Sequence, residues 1–384
     1  MYLCRKHNLI ILGNFADLGI RHGFEKSLLE MNIIEPTDIQ KKVIPALIEK
    51  PNDIVAQAQT GTGKTAAYGL PLLEMMNSGN PKVQGLVLCP TRELGQQVAK
   101  QLFKFTKYGD KIFTEAVYGG EKIDRQIASL KRPTQIIVAT PGRLIDLVQR
   151  GAVDLSEVNT VVLDEADEML SMGFKGQLDQ ILIGLSSVKY KWLFSATMPA
   201  GVKDIVNVHM SKHAHRVEVS RDNVVNKKIR HEYLVCEEGD KLWVLSQFLK
   251  SAQKKRGVIF CRTKSATQKL AKQLIAKNIT TDAIHGDLLQ KEREKVMRAF
   301  KNESLQVLVA TDVAARGIDI AGLSFVVHYQ LPESDEYYTH RSGRTARAGK
   351  DGVSLVIATT ADVKTIRNYE RTLGIKFVQL REKK

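Results

Sequence analysis

The amino-acid sequence predicts an α/β fold with two tandem doubly wound parallel-sheet domains joined by a flexible linker. First, the chain has 384 residues, which is too long for one ordinary core. Second, short apolar runs alternate with helix-period segments along the whole chain. Third, the runs of the first half are continuously apolar rather than alternating, as expected of parallel strands that are buried on both faces.

The predicted strands form two series of similar rhythm. The first half contains NDIVAQAQ, QGLVLCP, TQIIVAT, NTVVLDEAD and KWLFSAT. The second half contains HEYLVCE, RGVIFCR, TTDAIHG, LQVLVATD, FVVHYQL and GVSLVIAT. Amphipathic helices are predicted between them, for example over residues 37–49. The resemblance of QIIVAT at 135–140 to QVLVAT at 306–311 gives weak support to a duplication.

The segment between the two series predicts the domain boundaries. Residues 219–231, VSRDNVVNKKIRH, contain turn formers and charges without a clean period. We therefore expect a first domain over residues 1–218, a linker over 219–230 and a second domain over 231–384. A hinge of this kind predicts relative motion of the domains.

Composition narrows the possible partners and compartment. The net charge is +15, and residues 221–384 hold 31 basic against 19 acidic residues, compared with 26 against 23 before them. Such a surplus favours a polyanionic partner. No apolar run approaches the ~20 residues that span a bilayer. The four cysteines are scattered without a CxxC pair, which favours a reducing cytoplasm and argues against a structural metal.

A glycine-rich segment predicts a phosphate site. AQTGTGKT at residues 58–65 lies between a predicted strand and a predicted helix. Gly61 and Gly63 would let backbone N–H groups surround a phosphate at the helix N-terminus. Lys64 would then reach the β- and γ-phosphates, and the Thr65 hydroxyl would bind Mg²⁺. A strict P-loop has glycine where this chain has Ala58.

An acidic segment completes the predicted nucleotide site. VVLDEAD at residues 161–167 is a buried strand that ends in three acids within four residues. Ligands of open α/β sheets bind at this end of the strands. Asp164 suits the carboxylate that holds Mg²⁺, and Glu165 could act as a general base on the attacking water. The two segments together predict a nucleoside triphosphatase.

With these motifs the sequence resembles the DEAD-box family of ATP-dependent RNA helicases, from about Phe15 to the C-terminus. DEAD itself occupies residues 164–167. The other motifs stand in order: PTDIQ at 36–40, PTREL at 90–94, glycines at 119–120, TPGR at 140–143, SAT at 195–197, HGDLLQKER at 285–293, ATDVAARGIDI at 310–320 and HRSGRTAR at 340–347. The resemblance implies two RecA-like domains, with ATP and Mg²⁺ as cofactors.

The resemblance assigns nucleotide-binding roles to positions that match the family motifs. It implies that Gln40 recognises the adenine edge and that Phe15 and Ile33 offer apolar surface to the base. Ile33 departs from the aromatic residue usual in the family and cannot stack on the base. The further implied nucleotide contacts are Thr60, Gly61, Thr62, Gly63, Lys64, Thr65, Gly317 and Asp319, with Asp319 at the ribose hydroxyls.

The resemblance also implies RNA contacts that hold the sugar–phosphate backbone, so sequence preference should be low. The matching positions are Arg92, Gly120, Thr140, Arg143, Arg262, Gly286, Gln290, Arg293, Thr311 and Arg316.

Three arginines near the C-terminus admit two interpretations. Arg341, Arg344 and Arg347 are spaced at i, i+3 and i+6, so on a helix they would share one face. By composition alone they could form a basic surface. The resemblance instead places Arg344, Arg347 and His340 in the catalytic set, with the two arginines acting on the γ-phosphate. It further implies that Asp167, Ser195, Thr197 and Arg341 couple the domains, and that His340 also lies near the DEAD and SAT motifs.

The implied activity is an RNA-dependent ATPase that unwinds short duplexes or remodels RNA–protein complexes as its two domains close on single-stranded RNA. We expect a cytoplasmic monomer without membrane association. Two alternatives stay open at this point. One is an ATP-gated RNA clamp with little unwinding, and the other is a DNA translocase of a related superfamily.

Overall fold

The computed structural model describes residues 14–59, 61–219, 228–253, 255–315, 323–346 and 351–380. The chain divides into two compact units, Met1–Val219 (unit 1) and Ser220–Lys384 (unit 2). Of the predicted linker, residues 220–227 lie outside the described residues, whereas Ile229 and Arg230 belong to the first strand of unit 2. In the described ranges, no helix has the length and apolar character needed to cross a membrane.

Unit 1 is built on a seven-stranded parallel sheet. Its strands are β1 (Ile54–Gln57), β2 (Gly85–Leu88), β3 (Thr114–Val117), β4 (Ile136–Ala139), β5 (Thr160–Asp164), β6 (Tyr190–Ser195) and β7 (His215–Glu218). Its helices are α1 (His22–Glu30), α2 (Asp38–Glu49), α3 (Lys64–Glu74), α4 (Arg92–Phe105), α5 (Ile123–Ser129), α6 (Pro141–Gln149), α7 (Ala166–Ser171), α8 (Lys175–Gly184) and α9 (Ala200–His209). The strand order is β3-β4-β2-β5-β6-β1-β7.

Unit 2 contains a second seven-stranded parallel sheet. Its strands are β8 (Ile229–Val235), β9 (Gly257–Phe260), β10 (Thr281–Ile284), β11 (Val307–Ala310), β12 (Phe325–His328), β13 (Gly352–Ala358) and β14 (Phe377–Gln379). Its helices are α10 (Lys241–Ser251), α11 (Lys264–Ile275), α12 (Gln290–Lys301), α13 (Asp312–Ala315), α14 (Asp335–Ser342) and α15 (Val363–Leu373). The strand order is β10-β11-β9-β12-β13-β8-β14.

Both sheets are covered on two faces, which confirms the predicted doubly wound class. In β1, Ile54 and Ala56 join one hydrophobic cluster and Val55 joins the other, because successive side chains of a strand point to opposite faces. A strand buried on both faces must be apolar throughout. The continuous apolar runs in the sequence have this physical cause.

The two units share one topology. When the strands of each unit are counted from its own first strand, both orders become 3-4-2-5-6-1-7. The similar segments QIIVAT and QVLVAT form β4 and β11, which are the fourth strands of their units. The second strands also match locally, because each is followed by a buried cysteine, Cys89 or Cys261. Two residues later, Thr91 or Thr263 caps the next helix by accepting a hydrogen bond from a backbone N–H. These correspondences support a duplication.

The sequence prediction missed three strands, β3, β7 and β14. All three are edge strands, and each keeps partly exposed side chains. An edge strand needs no continuous apolar run because it lacks a neighbour on one side and is less covered.

Candidate active site

Six motif segments of unit 1 converge at one edge of its sheet. They follow β1 (residues 58–65), β2 (90–94), β3 (119–120), β4 (140–143), β5 (164–167) and β6 (195–197). All strand pairs of this sheet are parallel, so every one of these segments leaves the carboxyl end of its strand. This edge is where open α/β sheets bind their ligands.

The phosphate loop depends on left-handed backbone at two glycines. Gly61 has φ +84° and Gly63 has φ +91°, a region that glycine enters without steric cost. A Cβ atom on Gly63 would also lie 2.4 Å from Nε2 of Gln40. Lys64 begins α3 and is almost buried, and its Nζ donates to the Ala58 carbonyl at 3.0 Å. The ammonium thus lies across the loop on a backbone hydrogen bond, near enough to Asp164 to interact with its charge.

Gln40 is attached to the phosphate loop. Its Oε1 accepts from the Thr37 N–H at 2.9 Å, and its Nε2 donates to the Gly63 carbonyl at 3.0 Å. The amide therefore joins the start of α2 to the turn that precedes Lys64. Each amide end retains one further hydrogen-bonding position, so recognition of adenine stays a prediction.

The predicted adenine surface differs between its two apolar members. Phe15 is 1% exposed and belongs to the core of unit 1, so it supports this region from within. Ile33 packs against the same core but is only partly buried. Of the two side chains, Ile33 is the one with surface to offer a base. Thr60, another predicted nucleotide contact, lies outside the described residues.

Asp164 is the last residue of β5 and is nearly inaccessible. Its Oδ2 accepts from the Tyr68 hydroxyl at 2.8 Å, whereas its Oδ1 has no hydrogen-bond partner in the described part of the chain. Burial raises the pKa of Asp164, and the charge of Lys64 and the Tyr68 hydrogen bond act against that rise. The carboxylate thus has one satisfied oxygen and one unsatisfied oxygen.

Glu165 has a strained backbone at the start of α7. Its φ is +52° and its ψ is +53°, a left-handed conformation that costs a non-glycine residue of order 1–3 kcal/mol. Strain of this kind persists where the surrounding structure enforces it, and it concentrates at functional sites. The turn directs the chain out of β5 and leaves the Glu165 side chain partly exposed, next to the buried Asp164.

The residues present fit a magnesium ion. A buried carboxylate oxygen without a donor needs a cation or a water held by one, because leaving it unpaired is costly. Thr65 follows Lys64 in the first turn of α3, three residues before the Tyr68 whose phenol donates to Asp164. Burial, first of all, raises the pKa of Tyr68 well above its usual value, so the phenol remains a donor at neutral pH.

The DEAD and SAT segments are joined by a compact hydrogen-bond network. Oδ2 of Asp167 accepts from the Thr197 N–H at 2.8 Å and from the Thr197 hydroxyl at 2.9 Å. The Asp167 N–H donates to the Ser195 hydroxyl oxygen at 3.1 Å, and that hydroxyl donates to the Thr197 carbonyl at 2.7 Å. A displacement of either segment would therefore disturb the other. The predicted link to the second domain stays a prediction.

The predicted RNA contacts of unit 1 lie on the same edge. Nη1 of Arg92 approaches Gly120 so closely that a Cβ there would lie 2.6 Å away. Gly120 also has φ +86°, and Thr140 immediately precedes α6. Arg143 already makes two hydrogen bonds within unit 1, because it donates to Oε1 of Gln126 and to the Glu121 carbonyl, both at 3.0 Å.

In unit 2, Arg341 is a buried structural anchor. Its Nε and Nη2 donate to the two Asp312 oxygens at 2.5 and 2.7 Å, and its Nη1 donates to the Gln330 carbonyl at 2.8 Å. The guanidinium also lies 5.1 Å from the ring centre of Phe260. These contacts hold α14 against α13. The guanidinium that we expected to couple the domains is thus bound within unit 2.

Arg341 and Arg344 do not lie on one helix. Helix α14 ends at Ser342, and the chain then turns at Gly343. Ser342 is buried, where its hydroxyl contacts that of Ser354 at 2.8 Å, and Ala346 has φ +55°. Arg344 therefore follows the helix, and Arg347 lies outside the described residues. A small pocket here is lined by Phe260, Asp312, Ala315, Tyr337, His340, Arg341 and Arg344.

The other predicted RNA and nucleotide contacts of unit 2 differ in burial and in the hydrogen bonds that they already make within the protein. Nε of Arg262 donates to the Leu331 carbonyl, and Nη2 of the buried Arg293 donates to the Ala314 carbonyl, both at 2.6 Å. Gln290 donates to Glu294 from the start of α12. Gly286 is exposed after β10, and Thr311 is buried after β11. Arg316, Gly317 and Asp319 lie outside the described residues.

Three residues of these sites were not singled out from the sequence: Tyr68, Asp312 and Gln126. Tyr68 lies four residues after Lys64 and three after Thr65, which places all three side chains on neighbouring positions of a helix. That spacing could have identified Tyr68. Asp312 stands inside ATDVAARGIDI, but its partner Arg341 is 29 residues away, and no local pattern indicates the pair.

Comparisons with known proteins identify the family. Residues 37–205 match the DEAD/DEAH box helicase family model, and residues 240–349 match the helicase conserved C-terminal domain. The chain is 42% identical to the DEAD-box ATP-dependent RNA helicase CshA of Bacillus cereus over 93% of its length and 68% of the relative's. It is 40% identical to CshA of Bacillus subtilis over 96% of its length and 74% of that protein's.

Solved structures give the same result. The structure of S. cerevisiae Dbp5 bound to RNA and ADP BeF3 matches with a TM-score of 0.87 at 30% identity, covering 96% of this chain and 95% of that one. Mss116p bound to ssRNA and AMP-PNP matches with a TM-score of 0.85 at 26% identity, covering 96% and 79%. The motifs, the duplicated sheets and these similarities agree, and the chain belongs to the DEAD-box family of ATP-dependent RNA helicases.

Proposed function

We propose that the chain is an RNA-dependent ATPase that unwinds short RNA duplexes locally, or remodels RNA–protein complexes, by closing its two units on single-stranded RNA. The observation that carries this proposal is the partial hydrolysis site of unit 1. It contains the ammonium of Lys64, which donates to a backbone carbonyl, and the buried Oδ1 of Asp164, which has no hydrogen-bond donor among the described residues. Both groups match what a nucleoside triphosphate with a divalent cation requires.

The residues divide the work as follows. Lys64 and the backbone of the phosphate loop bind the phosphates, and Asp164 with Thr65 would hold Mg²⁺, which neutralises charge on the β- and γ-phosphates. Glu165 orients and deprotonates the attacking water. Arg344 and Arg347 supply the positive charge that the γ-phosphate needs, and arginines in this role contribute ~10³–10⁵ in rate in other NTPases. His340 completes the proposed catalytic set.

RNA is the proposed partner, bound through its sugar–phosphate backbone. The surplus of 31 basic over 19 acidic residues in 221–384 supports this. The matched Dbp5 and Mss116p structures are both bound to RNA, which also supports it. Affinity should fall steeply with salt and depend little on sequence. The monomeric state and the cytoplasmic location predicted from the sequence remain predictions.

A strand-displacement assay with parallel ATP turnover tests the proposal. We expect a short RNA duplex to be displaced while single-stranded RNA stimulates ATP hydrolysis. RNA-stimulated turnover without displacement would favour the ATP-gated clamp. Equal stimulation by DNA and RNA would favour a DNA translocase instead. Glu165→Gln, which keeps the side-chain volume, should bind ATP normally and stall hydrolysis.

A further inference from the structure

Tyr68 contacts Asp164, one of the two residues that would hold the metal, although no sequence motif includes it. It projects from α3 one helical turn beyond Lys64 and is fully buried. Its hydroxyl donates to Oδ2 of Asp164 at 2.8 Å. Its ring lies against Phe194 in β6, with ring centres 5.1 Å apart. The ring therefore fixes the position of the hydroxyl independently of the carboxylate.

The hydrogen bond divides the Asp164 carboxylate into two different oxygens. Oδ2 is occupied by the phenol, and Oδ1 lacks a hydrogen-bond partner among the described residues. A carboxylate at the end of a strand can rotate about its terminal torsion, which is broad. The phenol restrains that rotation, so the unsatisfied oxygen keeps one direction. Partners that orient metal-binding carboxylates in this way tune the affinity of the site.

We propose that Tyr68 is a positioning residue that orients Asp164 and so sets the affinity of the nucleotide site for its divalent cation. This inference rests on the proposed binding of nucleotide with Mg²⁺ at unit 1. It extends that function by adding a residue that touches neither phosphate nor metal.

The test is the Mg²⁺ dependence of nucleotide binding to the full chain. Binding of a fluorescent non-hydrolysable ATP analogue is measured at increasing Mg²⁺ and again in excess EDTA. Tyr68→Phe should raise the Mg²⁺ concentration for half-maximal binding by about tenfold. Affinity in EDTA should stay within twofold of the wild type, because the phosphate loop is unchanged. An unaltered Mg²⁺ midpoint overturns the proposal.

Two controls separate positioning from a structural role. Tyr233→Phe removes a buried tyrosine hydroxyl that donates to Oε1 of Gln379 in unit 2 at 3.0 Å, and it should leave the Mg²⁺ midpoint unchanged. In an Asp164→Asn background, Tyr68→Phe should shift the midpoint by less than twofold, because the oriented carboxylate is gone. Equal tenfold shifts in both backgrounds would overturn the proposal. A wild type that binds no nucleotide would instead refute the proposed function.

Discussion

The two units carry the same sheet, but only one of them has a phosphate loop. In unit 1, the first strand leads through AQTGTG to Lys64 at the start of α3. In unit 2, the equivalent strand leads through CEEGD to Lys241 at the start of α10. Both lysines begin the helix that follows the first strand, and both are almost buried.

Their partners differ in charge. Nζ of Lys64 donates to a neutral carbonyl, that of Ala58. Nζ of Lys241 instead lies 2.9 Å from Oε2 of Glu238 and 3.8 Å from Oδ2 of Asp362. Carboxylates in the loop would also repel a phosphate. The duplicated fold thus places a lysine at the same position twice, and the residues around it decide whether it can bind a ligand.

The largest expected effect separates the two lysines directly. Lys64→Ala should weaken binding of ATP with Mg²⁺ by roughly 1,000-fold or more, because a buried charged contact to the phosphates is lost. Lys241→Ala should change that affinity by less than twofold. Equilibrium titration with a fluorescent nucleotide measures both variants. Comparable losses in the two variants would mean that unit 2 also contributes a nucleotide site.

The second prediction concerns Arg341. Arg341→Ala should lower the free energy of unfolding of unit 2 by about 3 kcal/mol, because Asp312 loses its bidentate partner in a mostly buried position. Lys241→Ala should cost only about 1 kcal/mol, because Glu238 is exposed and can turn to water. Urea unfolding of the full chain checks both values. Equal decreases in the free energy of unfolding for the two variants would contradict the distinction between Arg341, whose partner is mostly buried, and Lys241, whose partner is exposed to solvent.

The third prediction is a pH dependence of unit 2. Burial lowers the pKa of His231 to about 4 and that of His328 further below its usual range. In the unfolded chain both imidazoles take up a proton near pH 6.5, whereas in the folded chain they stay neutral at that pH. Their contribution to the free energy of unfolding is therefore present above pH 6.5 and is lost as the pH drops toward 4.

The loss should be about 1.4 kcal/mol per pH unit for each histidine. Unfolding midpoints at pH 7, 6 and 5 measure it. His231→Asn keeps a side-chain acceptor toward the Tyr338 hydroxyl and should reduce the slope. A slope that His231→Asn leaves intact would assign the pH effect to other groups.

The smallest expected effect is at Ala346, the residue before Arg347. Its φ of +55° is unfavourable for alanine, whereas glycine adopts it freely. Ala346→Gly should therefore stabilise unit 2 by about 0.5 kcal/mol, after the added flexibility of the unfolded chain is subtracted. Ala276→Gly, at an exposed residue with φ −62°, should destabilise by a similar amount. Urea midpoints that fall equally for both variants would refute the strain at Ala346.

Much of this fold follows from the sequence, since strands covered on both faces must be continuously apolar. The eleven strands predicted from the sequence were confirmed. The three that were missed lie at edges, where burial imposes a weaker pattern. The phosphate loop and Asp164 could be located because glycines and acids at strand ends have few structural explanations.

Long-range pairs were not predictable in the same way. The spacing of Arg341 and Arg344 would put them on one face only of a continuous helix, and α14 ends between them at Ser342. The buried Ser342 hydroxyl and the turn at Gly343 decide that end, and both depend on contacts with β13 and with preceding turns. The only sequence signal for Tyr68 was its spacing from Lys64 and Thr65, and a buried aromatic on α3 is also what the core requires.

The most direct test of the account is the number of nucleotides bound per chain. Isothermal titration of the full chain with a non-hydrolysable ATP analogue and Mg²⁺ gives that number. We predict one site per chain, lost in Lys64→Ala and retained in Lys241→Ala. Two sites per chain, or one site that survives Lys64→Ala, would contradict the assignment of the nucleotide to unit 1.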